Sequence, residues 1–158
     1  MKLAIAFVLL LAWSSPALAQ PPAARFPDVV GALKETPGCL GVETGQTSSG
    51  KRVIFAWFEN KKALVDWYHS DAHQKAMKTV FPTLAVDRQP LPDLPEDTGP
   101  ILTIVSVKFS DATISSIGIE LYGPLPGGVA VGGRFAPEAI KVRGLREFPL
   151  GATSGPSR

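Results

Sequence analysis

PGCLGVETGQTSSGKRVIFAWF, residues 37–58, is the stretch that decides the fold. It holds two strand-like runs, 39–46 and 51–58, separated by a cluster of turn-forming residues at 47–50. Side chains on a strand alternate between its two faces, and in the second run both sets of alternate positions are apolar. The pattern predicts a hairpin whose second strand lies inside a sheet that is covered on both faces.

The residues that follow, ENKKALVDWYHSDAHQKAMKTVF (59–81), predict two short helices. Asn60 and Ser70 are each placed to cap one of them. The apolar residues of the first helix, Trp67 among them, share one face. In the second helix, apolar residues follow His73 at the spacing of one helical face. We therefore expect His73 to lie at the N-terminal end of the face that points inward.

The remaining segments complete an α+β pattern. Apolar spacing predicts a first helix over about 27–36, and β-branched, alternating runs predict strands over 101–109 and 116–122. The Pro and Gly content of 82–100 predicts a linker within the domain. The extension from 123 onward is also rich in Pro and Gly, so we expect mainly loops there, with a short strand at 129–131.

The N-terminal residues predict export. Lys2 precedes an apolar run, and Ala17-Leu18-Ala19 before Gln20 fits the cleavage rule for signal peptides. We therefore divide the chain into a signal peptide (1–19), an α+β domain (26–122) and a Pro/Gly-rich C-terminal extension (123–158). The expected location is periplasmic or secreted, with no membrane attachment after cleavage.

Charge and cysteine content narrow the classes of function. The formal net charge of the 158 residues is +2, which gives no strong field for nucleic acid. Cys39 is the one cysteine, so an internal disulfide is excluded and stability must come from packing. We expect small molecules or protein partners.

The hairpin and helix pair together resemble the antibiotic biosynthesis monooxygenase-like family of dimeric α/β barrels, over about residues 26–109. In that family a Pro-Gly hairpin entry, a Trp-rich second strand and a Trp-x-x-Ser-x-x-His helix pair recur, here as Pro37-Gly38, Trp57 and the series from Trp67 to His73. The resemblance implies an α+β, ferredoxin-like antiparallel sheet with helices on one face. It also implies a homodimer in which a partner's sheet covers the other face.

The resemblance leaves two functions open. One is a cofactor-independent monooxygenase that oxidises a planar aromatic small molecule with dioxygen, without metal or flavin. Its catalytic residue would be His73, handling a proton, and Trp57, Trp67 and Tyr68 would bind the ligand around an apolar cavity. The alternative is a non-catalytic periplasmic small-molecule-binding module or a structural dimer module, since polar residues are few on the strands.

Three features set this chain apart from parts of the family. The essential histidine of the haem-degrading branch falls here at Met77, which argues against haem degradation. His69 and His73 have the spacing of a metal pair, but Ser70 is expected to break the helix between them, so we predict no metal site. The family's usual strand before the first helix is missing, and 116–122 is a candidate to replace it in a rearranged sheet.

Overall fold

The chain forms a four-stranded antiparallel sheet with helices against one face. This computed structural model describes residues 28–83, 89–111 and 113–151. The predicted signal peptide lies outside the described residues. The elements, in chain order, are α1 (Val29–Glu35), β1 (Cys39–Gln46), β2 (Arg52–Phe58), α2 (Lys61–His69), α3 (Asp71–Val80), β3 (Ile101–Ser110), β4 (Thr113–Tyr122), β5 (Val129–Val131) and β6 (Arg146–Phe148).

The predicted hairpin is confirmed, and its turn is closed by local hydrogen bonds. The amide of Thr47 donates to the carbonyl of Lys51 at 2.9 Å, and the amide of Lys51 donates to Thr47 Oγ1 at 3.1 Å. Gly50 supplies the left-handed backbone of the turn, with φ of 80°. β1 and β2 then pair in register, with Thr44 opposite Ile54.

The sheet order is β1-β2-β3-β4, so each strand pairs with its neighbour in sequence. The predicted α+β, ferredoxin-like class is confirmed. The residues before 28, where the family's usual strand was predicted to be missing, lie outside the described residues. β3 lies directly beside β2, and β1 and β4 form the two edges. The predicted strand 116–122 lies within β4 at an edge of the sheet, and β3 lies next to the hairpin. That 116–122 replaces the family's missing strand stays a prediction.

Side-chain caps set where the helices begin. Asn60 Oδ1 accepts from the amide of Ala63 at 3.0 Å, and Ser70 Oγ accepts from the amide of His73 at 3.2 Å, as predicted. Ser70 also ends α2, so it separates the two helices. α1 is capped by Asp28, which accepts from the amide of Gly31 at 2.8 Å.

The main core lies between the helices and the sheet. Ala56 and Phe58 of β2 are 1% and 0% exposed, and they pack with Leu33 of α1 and Trp67 of α2. Gly38 allows the close approach of the hairpin to α2: its φ is 77°, and a Cβ built there would lie 2.5 Å from the Cβ of Ala63. The inward position predicted for Trp67 is confirmed.

The opposite face of the sheet, which we call the outer face, is covered by the chain's own C-terminal extension over the hairpin. Phe135 meets Phe55 edge to face, with ring centroids 5.0 Å apart. Pro137 lies against Gly41, where a Cβ would come within 2.5 Å of the proline ring. The extension thus covers part of the face on which the resemblance implies a partner's sheet.

The extension has structure of its own. β5, predicted from sequence, pairs in parallel with β6, which was not predicted. Arg134 holds the loop between them: its Nη2 donates to the carbonyls of Pro137 and Glu138, and its Nε lies 3.2 Å from Glu147 Oε1, without the geometry of a hydrogen bond. The description of this region as mainly loop was incomplete.

None of the helices in the described ranges is long and apolar enough to cross a membrane.

Candidate functional site

A cavity of about 280 Å³ lies between the helix layer and the sheet. Its floor is formed by β2, β3 and β4, and its roof by the helices and Leu91. No charged side chain lines it within the described residues; the polar groups come from Trp67, Tyr68, His73 and Thr103. The β4 side is the more open, because Ile119 and Leu121 are 50% and 39% exposed. The cavity suits a neutral, mainly apolar molecule.

His73 enters this cavity from the first turn of α3. Its Nδ1 lies 2.8 Å from the carbonyl oxygen of Tyr68, in the last turn of α2. A carbonyl oxygen only accepts hydrogen bonds, so in the neutral ring Nδ1 carries the proton. Nε2 is then the nitrogen that remains to accept a hydrogen bond or a proton from a bound molecule.

The surroundings favour the neutral ring. Burial lowers the pKa of His73 below its ordinary value, the hydrogen bond to the Tyr68 carbonyl opposes that change, and the charge of His69 adds to it. A group that is neutral near pH 7 with a free ring nitrogen is suited to act as a general base.

Two aromatic rings flank His73. The Trp67 ring centroid lies 5.6 Å from that of His73 at an interplanar angle of 62°, and the Tyr68 centroid lies at 5.1 Å and 39°. Trp67 and Tyr68 both line the cavity, so three of the four residues singled out from the sequence come together. Aromatic faces of this kind accommodate a planar ligand.

Trp57 is the exception, and its placement is corrected. It projects from β2 with Val53 and Phe55 toward the outer face, and it is absent from the residues that line the cavity. The indole is 7% exposed, and its Nε1 has no hydrogen-bond partner in the described part of the chain. The sequence interpretation grouped Trp57 with the others because it is aromatic, although alternation on the strand already separated it from Ala56 and Phe58.

Thr103 was not singled out from the sequence, although it lies on the cavity floor. It is 6% exposed, and its hydroxyl has no hydrogen-bond partner among the described residues. A threonine inside a β-branched run is typical of an ordinary strand, so the sequence around Thr103 did not indicate a functional residue.

The metal and thiol candidates do not join this site. The break at Ser70 puts His69 and His73 on separate helices, and within the described ranges no three His, Cys, Asp or Glu residues form a metal-binding group. Cys39 packs against the core, and burial raises the pKa of its thiol. It behaves as a small apolar residue.

Two other clefts lie away from His73. One of about 470 Å³ runs between residues 91–101 and the extension, and it carries Lys141 and Arg143. Another of about 390 Å³ lies at the hairpin end, beside Arg52 and Phe109. Both are larger than the cavity, but neither contains a residue of the Trp67 to His73 series, so we place the candidate site in the cavity.

Residues 16–79 match the family model described as antibiotic biosynthesis monooxygenase. Within the described residues the match covers α1, the hairpin, α2 and most of α3, and it ends before β3. It therefore includes His73, Trp67 and Tyr68 and leaves out Thr103 and the extension. The chain matches no curated protein and no solved structure.

Proposed function

Because residues 16–79 match the family model described as antibiotic biosynthesis monooxygenase, we propose that the chain binds a planar aromatic small molecule in the cavity and oxidises it with dioxygen. The observation that carries this proposal is the position of His73, a neutral base with a free Nε2 inside an uncharged apolar cavity. A cavity of roughly 150 Å³ accepts benzene, so about 280 Å³ suits a molecule of about two fused rings.

Each residue has a separate part in the proposed reaction. Trp67 and Tyr68 hold the ring system, and His73 Nε2 takes the proton of an acidic phenol. The resulting anion is electron-rich and supplies electrons to dioxygen. For a ring methylene conjugated with the phenol, one oxygen atom becomes a carbonyl oxygen on that carbon. The other leaves as water with the two methylene hydrogens.

The apolar surroundings of His73 support this chemistry. The cavity floor at Ala56 and Phe58 is almost fully buried, and no charged side chain of the described residues faces the ligand. In such surroundings the hydrogen bond from the ligand to His73 is stronger than it would be in water. The phenolate that forms is neutralised by the imidazolium beside it.

Oxygen uptake tests the proposal. With hydroxylated naphthalenes as substrates, the protein is expected to consume dioxygen and to incorporate one labelled oxygen atom into the product. The His73→Gln variant keeps a hydrogen-bond donor to the Tyr68 carbonyl and loses the base. We expect a loss of about 100-fold or more in turnover with near-normal binding. Equal turnover in the variant removes His73 from the mechanism.

A second candidate function is binding without chemistry. It is favoured by the small number of polar groups in the cavity, where His73 is the single titratable imidazole among the described lining residues. Tight binding of the same aromatic compounds without oxygen uptake selects this alternative.

The proposal also includes export, on the sequence of residues 1–19 alone. N-terminal sequencing of protein from a periplasmic fraction or the medium should find Gln20 as the first residue. An intact Met1 there contradicts cleavage.

A further inference from the structure

Thr103 presents a buried hydroxyl without a hydrogen-bond partner on the floor of the cavity. Its side chain lies on β3 and is 6% exposed, and Oγ1 has no partner among the described residues. A buried hydroxyl that has lost water and gained no partner costs free energy, and most such groups in proteins are paired. An unpaired one on a cavity wall points to a group that arrives with a ligand.

The neighbours of Thr103 cannot supply that partner with their side chains. Across the sheet it lies opposite Ala56 of β2 and Leu121 of β4. Along β3, the next side chains on the same face are Ile101 and Val105. All four are apolar, so the hydroxyl is surrounded by groups that neither donate nor accept.

Two of the polar residues of the cavity, His73 and Thr103, lie on opposite walls. His73 belongs to the helix layer and Thr103 to the sheet. A ligand lying between them reaches both when it carries two polar substituents. Hydroxyl and carbonyl groups both fit Thr103, because a threonine hydroxyl can donate as well as accept.

We propose that Thr103 is a specificity-determining residue, whose hydroxyl binds a second polar substituent on an aromatic ligand that His73 holds by its first. The ligand class is thus a bicyclic aromatic with two hydroxyl or carbonyl groups. This inference rests on the proposed function of the cavity. It assigns a role to a residue outside the part of the chain that matches the family model.

Calorimetric titration with a graded set of probes tests the proposal. The probes are naphthalene, 2-naphthol and the 1,5-, 2,6- and 2,7-dihydroxynaphthalenes, which carry none, one and two hydroxyls. We expect at least one diol to bind the wild-type protein about tenfold more tightly than 2-naphthol, the scale of one buried hydrogen bond. Thr103→Val should abolish that advantage, so that the diol and 2-naphthol bind the variant about equally tightly.

Two matched variants serve as controls. Thr103→Ser keeps the hydroxyl and should retain the preference for the diol. Thr44→Val makes the same chemical change on an exposed strand residue outside the cavity and should alter neither affinity. Without ligand, Thr103→Val should melt at the same temperature as the wild-type protein or higher, because it removes an unpaired buried hydroxyl.

The outcomes separate this inference from the proposed function. If 2-naphthol binds but no diol binds more tightly, or the diol preference survives in Thr103→Val, the role of Thr103 is overturned while the cavity remains a binding site. If neither 2-naphthol nor any diol binds, the proposed function fails, and the inference fails with it.

Discussion

His73 couples the stability of the chain to pH, because the folded protein disfavours its protonated ring. Burial is the main cause of its lowered pKa. In the unfolded chain the ring titrates at its ordinary pKa of about 6.5. Between that pKa and the lower one of the folded state, the unfolded chain binds more protons, so stability rises with pH.

The first prediction follows from that difference. The stabilising contribution of neutral His73 is complete above about pH 6.5 and is lost as the pH falls toward the folded-state pKa. We expect the thermal midpoint to fall more between pH 7.5 and pH 5 in the wild-type protein than in His73→Gln. If the thermal midpoint fell equally with pH in the two proteins, the pKa of His73 would be the same in the folded and the unfolded state, which would contradict the prediction.

At this scale the sequence predicted the local setting of His73 and missed its partners. Helical spacing and the Ser70 cap were enough to turn the ring inward, because both signals are local. The carbonyl of Tyr68 lies beside His73 because α2 and α3 meet at Ser70. The hydroxyl of Thr103 lies in the cavity because β3 pairs with β2. No local pattern encodes those contacts.

Among the elements, α2 fixes the segment that leads into β3. Lys61 is 3% exposed, its Nζ donates to the carbonyl of Leu94 at 2.7 Å, and it lies 2.8 Å from Glu96 Oε1. The amide of Lys61 also donates to the carbonyl of Thr98 at 2.7 Å. These bonds position residues 94–98 just before the strand that carries Thr103.

The second prediction compares two adjacent lysines. Lys61→Met should cost about 1–3 kcal/mol of unfolding free energy, because the carbonyl of Leu94 loses the hydrogen bond from a charged, buried donor. Lys62→Met is the matched control: Lys62 pairs with Asp66 in solvent and should change stability by less than about 1 kcal/mol. Denaturant titration measures both, and similar losses in the two variants would contradict the anchoring role of Lys61.

Element prediction succeeded where the signals are short-range. The hairpin, the helix break at Ser70 and β3 follow from turn residues, caps and β-branched runs. β6 was missed because Arg146–Phe148 contains two charged residues and no β-branched one, whereas β5 is Val-Ala-Val. Its parallel pairing with β5 requires residues 132–145 to bring the chain back to the start of β5.

Across the whole molecule, the C-terminal extension covers much of the outer face of the sheet. Homodimer formation was predicted because that face is apolar and a single sheet with helices on one side would leave it wet. Val53 and Trp57 on that face are already buried within one chain, and Phe135 and Pro137 lie over the hairpin. That reason for a dimer therefore no longer applies, and the oligomeric state stays a prediction for light scattering.

The third prediction concerns the extension. Deleting 123–158 should expose the outer face and cause loss of cooperative unfolding or self-association, because Phe135 and Pro137 of the extension pack against Phe55 and Gly41 there. Deleting 151–158, which holds no large apolar residue, should leave the thermal midpoint within about a degree or two. Calorimetry with light scattering checks both. A stable monomer lacking 123–158 would show that the extension is dispensable.

The central claim is that the cavity beside His73 binds an aromatic molecule. A crystal structure of the protein soaked with 2-naphthol tests it most directly. The account predicts the naphthol ring between the helices and the sheet, against Trp67 and Tyr68, with its oxygen within hydrogen-bond distance of His73 Nε2. Density for naphthol in the cleft beside Lys141 and Arg143, with the cavity closed by its own side chains, would contradict the account.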